Sequence, residues 1–371
     1  MDLKSMTLQE MQEYMESIGE KKFRAKQIYE WFHKHLALSL DEMNNVPKKL
    51  KEKIEQTQEI YGVKPVDCFI SKIDGTRKYL FELYDGNIIE SVLMKYKHGN
   101  SVCISSQAGC RMGCKFCAST LGGLDRNLTP SEMLSQIYYI QRDTEERVSN
   151  VVMMGTGEPM DNYDNVLRFL ELITSEDGLN ISQRNITIST CGIVPKIKEL
   201  AQKHLQITLA ISLHSPNDEM RRGLMPIAMK YSIDELLDAC HYYFKETNRR
   251  MTFEYSLVAG VNDQPVHAEE LAGRLKGFPC HVNLIPVNPI KERDFKQSMP
   301  KSVMEFKKIL EKSRKVGLKS TEYQIIKEIK NLIFYPGFHM AQYYVKQLIF
   351  SWLRMVRGKV TPWTALKRTF L

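Results

Sequence analysis

The stretch Gly109-Cys110-Arg111-Met112-Gly113-Cys114-Lys115-Phe116-Cys117 decides the reading of this chain. It spaces three cysteines as C-x3-C-x2-C. Three thiolates can ligate three irons of a 4Fe–4S cluster and leave the fourth iron open to a small chelating cofactor. A zinc site and a chance group of buried cysteines are the alternatives. Structural zinc is almost always held by four protein ligands, and no partner C-x2-C pair lies nearby. The cluster is the better reading.

The rest of the chain is compatible with that chemistry. Its 371 residues suggest about two domains. The eight cysteines (Cys68, Cys103, Cys110, Cys114, Cys117, Cys191, Cys240 and Cys280) do not form a disulfide framework pattern for a protein of this size. Lys4, Glu10 and Glu13 interrupt the start, so no secretory leader is expected. No apolar run is long enough to span a bilayer. A reducing cytoplasm, which protects an iron–sulfur cluster, is the expected location. The net charge of +8 is unevenly spread. From Ser313 onward eleven Lys/Arg oppose two Asp/Glu, a balance of +9, so everything before it sums to −1. Bulk charge therefore gives no argument for nucleic-acid binding by the main body.

Four segments are expected. Residues 1–60 read as a helical accessory domain with lysines and aromatics that suit RNA or simply solvent. Ser5 or Thr7 caps a first helix that runs to Ile18 and stops at Gly19. A second covers Lys22–His35 with Phe23, Ile28, Trp31 and Phe32 as its apolar face, and a third covers Asp41–Gln58. Residues 61–99 read as a β-hairpin extension. Tyr79–Leu83 and Ile88–Met94 flank the turn Tyr84-Asp85-Gly86-Asn87. This puts Glu90 on a strand, where an acidic residue usually faces solvent. Residues 100–312 alternate strand and helix. Apolar runs at Val102–Ser106, Val148–Gly155, Ile186–Thr190, Ile207–Leu213, Thr252–Val258 and His281–Val287 are separated by amphipathic stretches such as Pro130–Arg142, Tyr163–Ile173, Ile233–Glu246 and Pro265–Leu275. Six such units predict an α/β fold, a partial (βα)6 barrel with active residues at the strand C-terminal ends. Residues 313–371 are an atypical basic tail.

Candidate site residues fall at those strand ends. The cysteine loop follows the first strand, and Gly155-Thr156-Gly157-Glu158-Pro159 follows the second. The glycines let backbone approach a ligand, and Glu158 can accept from an amine. Ser189 ends the third strand, Ser212-Leu213-His214 the fourth, and Asn288 follows the sixth. Singly, each reads as a turn or cap residue. Together they converge on one mouth.

At this point the sequence resembles the radical S-adenosylmethionine (SAM) RNA methyltransferases that modify C2 of an adenine in 23S rRNA and, often, in certain tRNAs. The resemblance rests on the cysteine motif with Asp74-Gly75-Thr76-Arg77-Lys78, Cys103–Cys110, Gly157-Glu158-Pro159-Met160, Ser189-Thr190-Cys191-Gly192, Ser212-Leu213-His214 and Asn283–Asn288, and covers residues 1–312. It implies a radical-SAM barrel in which Cys110, Cys114 and Cys117 hold the cluster. It implies SAM contacts from Gly157, Glu158, Ser189, Ser212, Leu213, His214 and Asn288. Glu90 matches the proton-handling residue, and Cys103 matches one of two catalytic cysteines outside the cluster. In such enzymes one SAM methylates the other cysteine, and a second SAM supplies the 5′-deoxyadenosyl radical that activates that methyl group. A disulfide between the two cysteines then releases the RNA. An external electron donor such as flavodoxin or ferredoxin is implied, with 23S rRNA and possibly tRNA as partners and no membrane.

The resemblance runs through Val303–Ser313 and stops. The family's methyl-carrying cysteine lies in a C-terminal Gly-x-Asp-Ile-Asp-x-Ala-Cys-Gly-Gln-Leu segment. Here no cysteine follows Cys280, and residues 314–371 are basic, with Tyr343-Tyr344, Trp352 and Trp363. They read as a replaced or out-of-frame terminus; an RNA-binding tail or, at Tyr344–Val356, an amphipathic helix packed on the barrel are the alternatives. Cys191 and Cys280 read as core residues. Two other functions stay open: a catalytically silent RNA- and SAM-binding relative, and a radical-SAM enzyme acting on another substrate.

Overall fold

The computed structural model describes residues 2–97, 99–315 and 322–325. The tail's aromatics and Tyr344–Val356 lie outside the described residues.

Three helices open the chain: α1 (Leu8–Ser17), α2 (Phe23–His33) and α3 (Lys48–Glu55). Thr7 is the α1 cap, in a reciprocal capping box with Glu10. Gly19, at φ 76°, follows its end. The expected helix over Asp41–Gln58 is instead broken into a 3-10 turn at Leu40–Glu42 and α3. Pro47 explains the break, because it disfavours helical backbone in the residue before it. Phe23 departs from the expected apolar face of α2 and is 56% exposed, while Ile28 and Phe32 are buried.

The strands follow as β1 (Lys64–Ile70), β2 (Arg77–Glu82), β3 (Ile88–Tyr96) and β4 (Gly99–Cys103). A short ribbon, β5 (Gln107–Gly109) with β6 (Leu124–Asn127), flanks the cysteine loop. Then come α4 (Pro130–Thr144), β7 (Val148–Met153), α5 (Tyr163–Thr174), β8 (Ile186–Thr190), α6 (Val194–Ala201) and β9 (Thr208–Ser212). The described chain closes with α7 (Asp218–Leu224), α8 (Ile233–Thr247), β10 (Met251–Leu257), α9 (Pro265–Arg274), β11 (Cys280–Pro286), α10 (Pro300–Lys315) and β12 (Glu322–Ile325).

One sheet has the order β1-β2-β3-β4-β7-β8-β9-β10-β11-β12. The six expected barrel strands β4, β7, β8, β9, β10 and β11 pair in parallel and in sequence order. β3 pairs antiparallel with β4, so β1–β3 continue the sheet beyond the barrel. β12, inside the basic tail, pairs in parallel with β11 at the other edge. The N-terminal helices share a continuous apolar core with the barrel. Polar contacts reinforce that seam: Lys4 Nζ donates to Ser135 Oγ at 3.0 Å, and His33 Nδ1 meets the Tyr138 hydroxyl at 2.7 Å. Among the described residues no helix is long and apolar enough to cross a membrane.

Register decides which side chains share a face. Partnered residues on neighbouring strands point to the same side, and so do residues two apart. Val92 pairs with Cys103, Cys103 with Val152, Val152 with Thr187, Thr187 with Thr208, and Ser189 with Ala210. Glu90, Cys103, Ser189 and Ser212 therefore line one face of the sheet.

Candidate active site

The cysteine loop leaves that face after β4. Gly109 is forced: its φ is 76°, and a Cβ there would lie 2.0 Å from the Gly123 carbonyl oxygen. That close approach lets Cys110 N donate to Gly123 O at 2.7 Å. On the far side Lys115 N donates to Leu224 O at 2.9 Å, which ties the loop to the end of α7. Cys110 and Cys114 are buried and Cys117 is half-buried. Burial pushes the Cys110 thiol up to about 12, and raises Cys114 and Cys117 as well; neighbouring thiols add to the rise at Cys110 and Cys114. Among the described residues no trio of His, Cys, Asp or Glu side chains converges on a single ion. A 4Fe–4S cubane asks for something different, one thiolate per iron. Two buried thiols and one half-buried thiol on a glycine-hinged loop fit that demand.

The Gly155–Pro159 turn packs directly on residues 104–107. Gly155 N donates to Ile104 O at 3.0 Å, and Ser106 N to Thr156 O at 2.9 Å. Gly157 has φ 109°, and a Cβ would come within 2.5 Å of the Gln107 side chain. Glu158, 4% exposed, accepts from Cys191 N at 2.7 Å and Met160 N at 3.1 Å. Desolvation raises its pKa, and these N–H donors oppose the rise. A buried carboxylate at a strand end is equipped to take a cation such as an α-ammonium group.

At β9, Ser212 is half-buried, Leu213 is buried, and His214 sits at φ 57°. His214 Nδ1 accepts from Ser256 N at 2.8 Å. Burial, then the charge of Arg221, pushes its pKa down to about 3, so the ring is neutral. It meets Phe116 of the cysteine motif edge-on, with centroids 4.5 Å apart. Ser189 is half-buried on the shared face, and Asn288 is half-buried just past β11.

Three expectations change. Glu90 does not face solvent: it pairs with Lys78 Nζ at 2.5 Å, with its side chain only 16% exposed, because the β2–β3 register sets the two residues diagonally on one face. Its charge, with burial as the larger cause, helps push Cys103 up to about 12. Cys191 is not a barrel-core residue. It packs with Cys114, Leu224 and Met225 beside the cysteine loop, whereas Cys280 does belong to the main core. The disulfide implied for Cys103 is absent, since all eight cysteines are free thiols.

Several residues that hold the mouth together carry no mark in the sequence. Gln136 Nε2 and Oε1 grip Ser105 O and Ser105 N, at 3.0 and 2.8 Å. Asn162 Nδ2 donates to Ser106 O and Leu128 O, both at 2.8 Å. Asn262 Nδ2 donates to His214 O at 2.7 Å. Arg221 is fully buried and binds carbonyls at the ends of both β8 and β9. Each reads in one sequence as an ordinary helix or loop residue. Their role is to satisfy loop backbone groups that have no strand partner.

Comparison with known proteins agrees with this geometry. Residues 104–272 match the radical SAM superfamily, and residues 1–60 match the ribosomal RNA large subunit methyltransferase N-terminal domain. A probable dual-specificity RNA methyltransferase RlmN of Lachnospira eligens is 62% identical over 312 residues, 84% of this chain and 89% of the relative. Its counterpart in Lachnoclostridium phytofermentans is 60% identical over 313 residues, 84% and 88% of the two chains. The crystal structure of a radical SAM methyltransferase from Sphaerobacter thermophilus superposes with a TM-score of 0.83 at 40% identity, covering 89% of this chain and 96% of that one. At these identities and over most of both chains, this chain belongs to the RlmN-type radical SAM RNA methyltransferases.

Proposed function

We propose that this chain carries the SAM-binding and radical-generating half of an adenine-C2 RNA methyltransferase, for 23S rRNA and possibly tRNA in the cytoplasm, and lacks the residue that carries the methyl group. Cys110, Cys114 and Cys117 would hold a 4Fe–4S cluster. Such a cluster, given an electron by a flavodoxin- or ferredoxin-like donor, supplies reductive cleavage of SAM. Glu158 receives the methionyl ammonium, and Gly157 leaves room for backbone contact. Ser189, Ser212, Leu213, His214 and Asn288 hold the remainder of SAM at the strand ends. Glu90, ion-paired with Lys78 beside Cys103, is placed to take a proton on that face. Cys103 matches the resolving thiol of the family, and the thiol it would pair with is the one missing here.

The observation that carries the reading is the cysteine distribution. No cysteine follows Cys280. Of the five outside the cluster motif, Cys240 and Cys280 are in the core and Cys68 is exposed on β1. Cys191 is hemmed in by Glu158 and Cys114. Methyl delivery needs a thiol that reaches SAM and then the base.

The test is incubation of the anaerobically reconstituted protein with SAM, reductant and unmodified 23S rRNA. Expected products are 5′-deoxyadenosine without 2-methyladenosine. Exchanging residues 314–371 for the C-terminal segment of the Lachnospira eligens relative should restore 2-methyladenosine. Methylation by the unaltered chain refutes the missing-carrier reading; a Cys191→Ser variant then shows whether Cys191 is the carrier.

A further inference from the structure

Arg221 has a side chain that stability alone does not explain. It is 0% exposed and lies on α7, between the ends of β8 and β9 and the cysteine loop. Nη2 donates to Cys191 O at 2.7 Å and Ser212 O at 3.3 Å, and Nε donates to Leu213 O at 3.2 Å. Nη1 is buried with no partner among the described residues. No carboxylate is paired with the guanidinium at salt-bridge distance among the ion pairs of the described residues. An unneutralised buried cation is costly.

Its surroundings say what the charge can serve. The residue it holds, Cys191, packs against Cys114 in a small apolar patch with Leu224 and Met225. Three residues after Arg221, Leu224 O accepts from Lys115 N inside the cysteine motif. Gly113 abuts Pro226, with 3.2 Å from its would-be Cβ to the proline Cγ. The guanidinium therefore lies behind the cysteine loop, buried away from water, where a charge is poorly screened.

We propose that Arg221 is a positioning residue that makes the cluster easier to reduce, by placing a fixed positive charge behind Cys114. This rests on the cluster reading given above. Adding an electron makes a thiolate-ligated cluster more negative, and a nearby cation favours that state. Net charge and hydrogen bonding around the sulfurs are known determinants of cluster potential. Arg221 is also locked by three carbonyls, so its charge stays in place when the cluster changes state.

The experiment is an EPR-monitored redox titration of reconstituted wild type, Arg221→Lys and Arg221→Gln. Iron content and SAM affinity are measured on the same samples. The Gln variant should shift the one-electron equilibrium at least about tenfold against reduction, about 59 mV more negative. The Lys variant should recover most of that shift, although it cannot reproduce the three hydrogen bonds. Asp218→Asn provides a variant that leaves Arg221 in place. Asp218 is a carboxylate near enough to act on Arg221, and an amide keeps an oxygen for Ile233 N; its potential should move positive. A cluster-loaded Gln variant at the wild-type potential overturns the proposal. So does an unmoved potential with weakened SAM binding, which would assign Arg221 to the ligand instead. If the Gln variant does not load, an unmoved Asp218→Asn potential overturns it. Wild type without a cluster would instead refute the function proposed above.

Discussion

Gly157→Ala tests whether the Gly155–Pro159 turn must press against the start of the cysteine loop. The new methyl would stand 2.5 Å from Gln107 Cβ and 2.7 Å from Gln107 N. Ordinary carbon contacts lie at about 3.5–4.0 Å, so the overlap approaches about 1 Å. One of the atoms struck is backbone and cannot swing away. The backbone at φ 109° is also outside the regions open to alanine. Strained backbone costs about 1–3 kcal/mol and overpacking a similar amount. Relaxation by shifting the turn would sacrifice Ser106 N→Thr156 O at 2.9 Å, Gln107 N→Thr156 O at 3.1 Å and Glu158 N→Gln107 Oε1 at 2.8 Å. Either route leads to a loss of about 2–4 kcal/mol and carries Glu158 with it. Urea denaturation reads the stability, and calorimetric titration with SAM should show at least about tenfold weaker binding, the equivalent of 1.4 kcal/mol. Gly122→Ala is the control, because nothing lies within 4 Å of its would-be Cβ; it should change stability by no more than about 0.5 kcal/mol. A Gly157→Ala protein as stable as Gly122→Ala, with unchanged SAM affinity, would show that this contact does not shape the site.

Three further outcomes are expected. Glu158→Ala should weaken SAM binding at least about tenfold, since a charge-assisted bond contributes about 1.5–3 kcal/mol; unchanged affinity removes Glu158 from the ammonium site. Reconstituted wild type should approach about four irons per chain, and a Cys110→Ala, Cys114→Ala, Cys117→Ala triple variant should lose the iron and its visible absorption. Stability should fall on acidification below about pH 6.5, the ordinary histidine value. His33 and His214 are held neutral by burial, with pKa values pushed down to about 3. The unfolded chain therefore takes up protons between those values while the folded chain does not. Each group contributes at most about 1.4 kcal/mol per pH unit across that window and nothing above it. His33→Gln should flatten the acid limb of a melting-temperature profile; an identical limb in wild type and variant would refute the assignment.

The parallel strands were legible because their apolar runs are short, β-branched and separated by amphipathic helices. The expected runs at Ile186–Thr190 and Thr252–Val258 lie within one residue of β8 and β10. The β5–β6 ribbon was not legible: strands of three and four residues leave no periodicity, and they exist because Gly109 meets Gly123 across the loop. Glu90 was misread because alternation along one strand tells which residues share a side and not which side is covered. Only the register of β3 against β2 brings Lys78 to Glu90.

From sequence alone came the C-x3-C-x2-C spacing, the barrel class, the strand-end positions of Glu158, Ser212 and Asn288, and the break in family character after Ser313. Those are local properties: spacing, side-chain chemistry and runs of apolar residues. Tertiary structure alone decided that Cys191 lies beside Cys114, that Gln136, Asn162 and Asn262 hold the loops, and that an unneutralised Arg221 stands behind the cluster loop. These are contacts between distant segments, and they follow from which backbone groups remain without a strand partner when the sheet closes around its mouth.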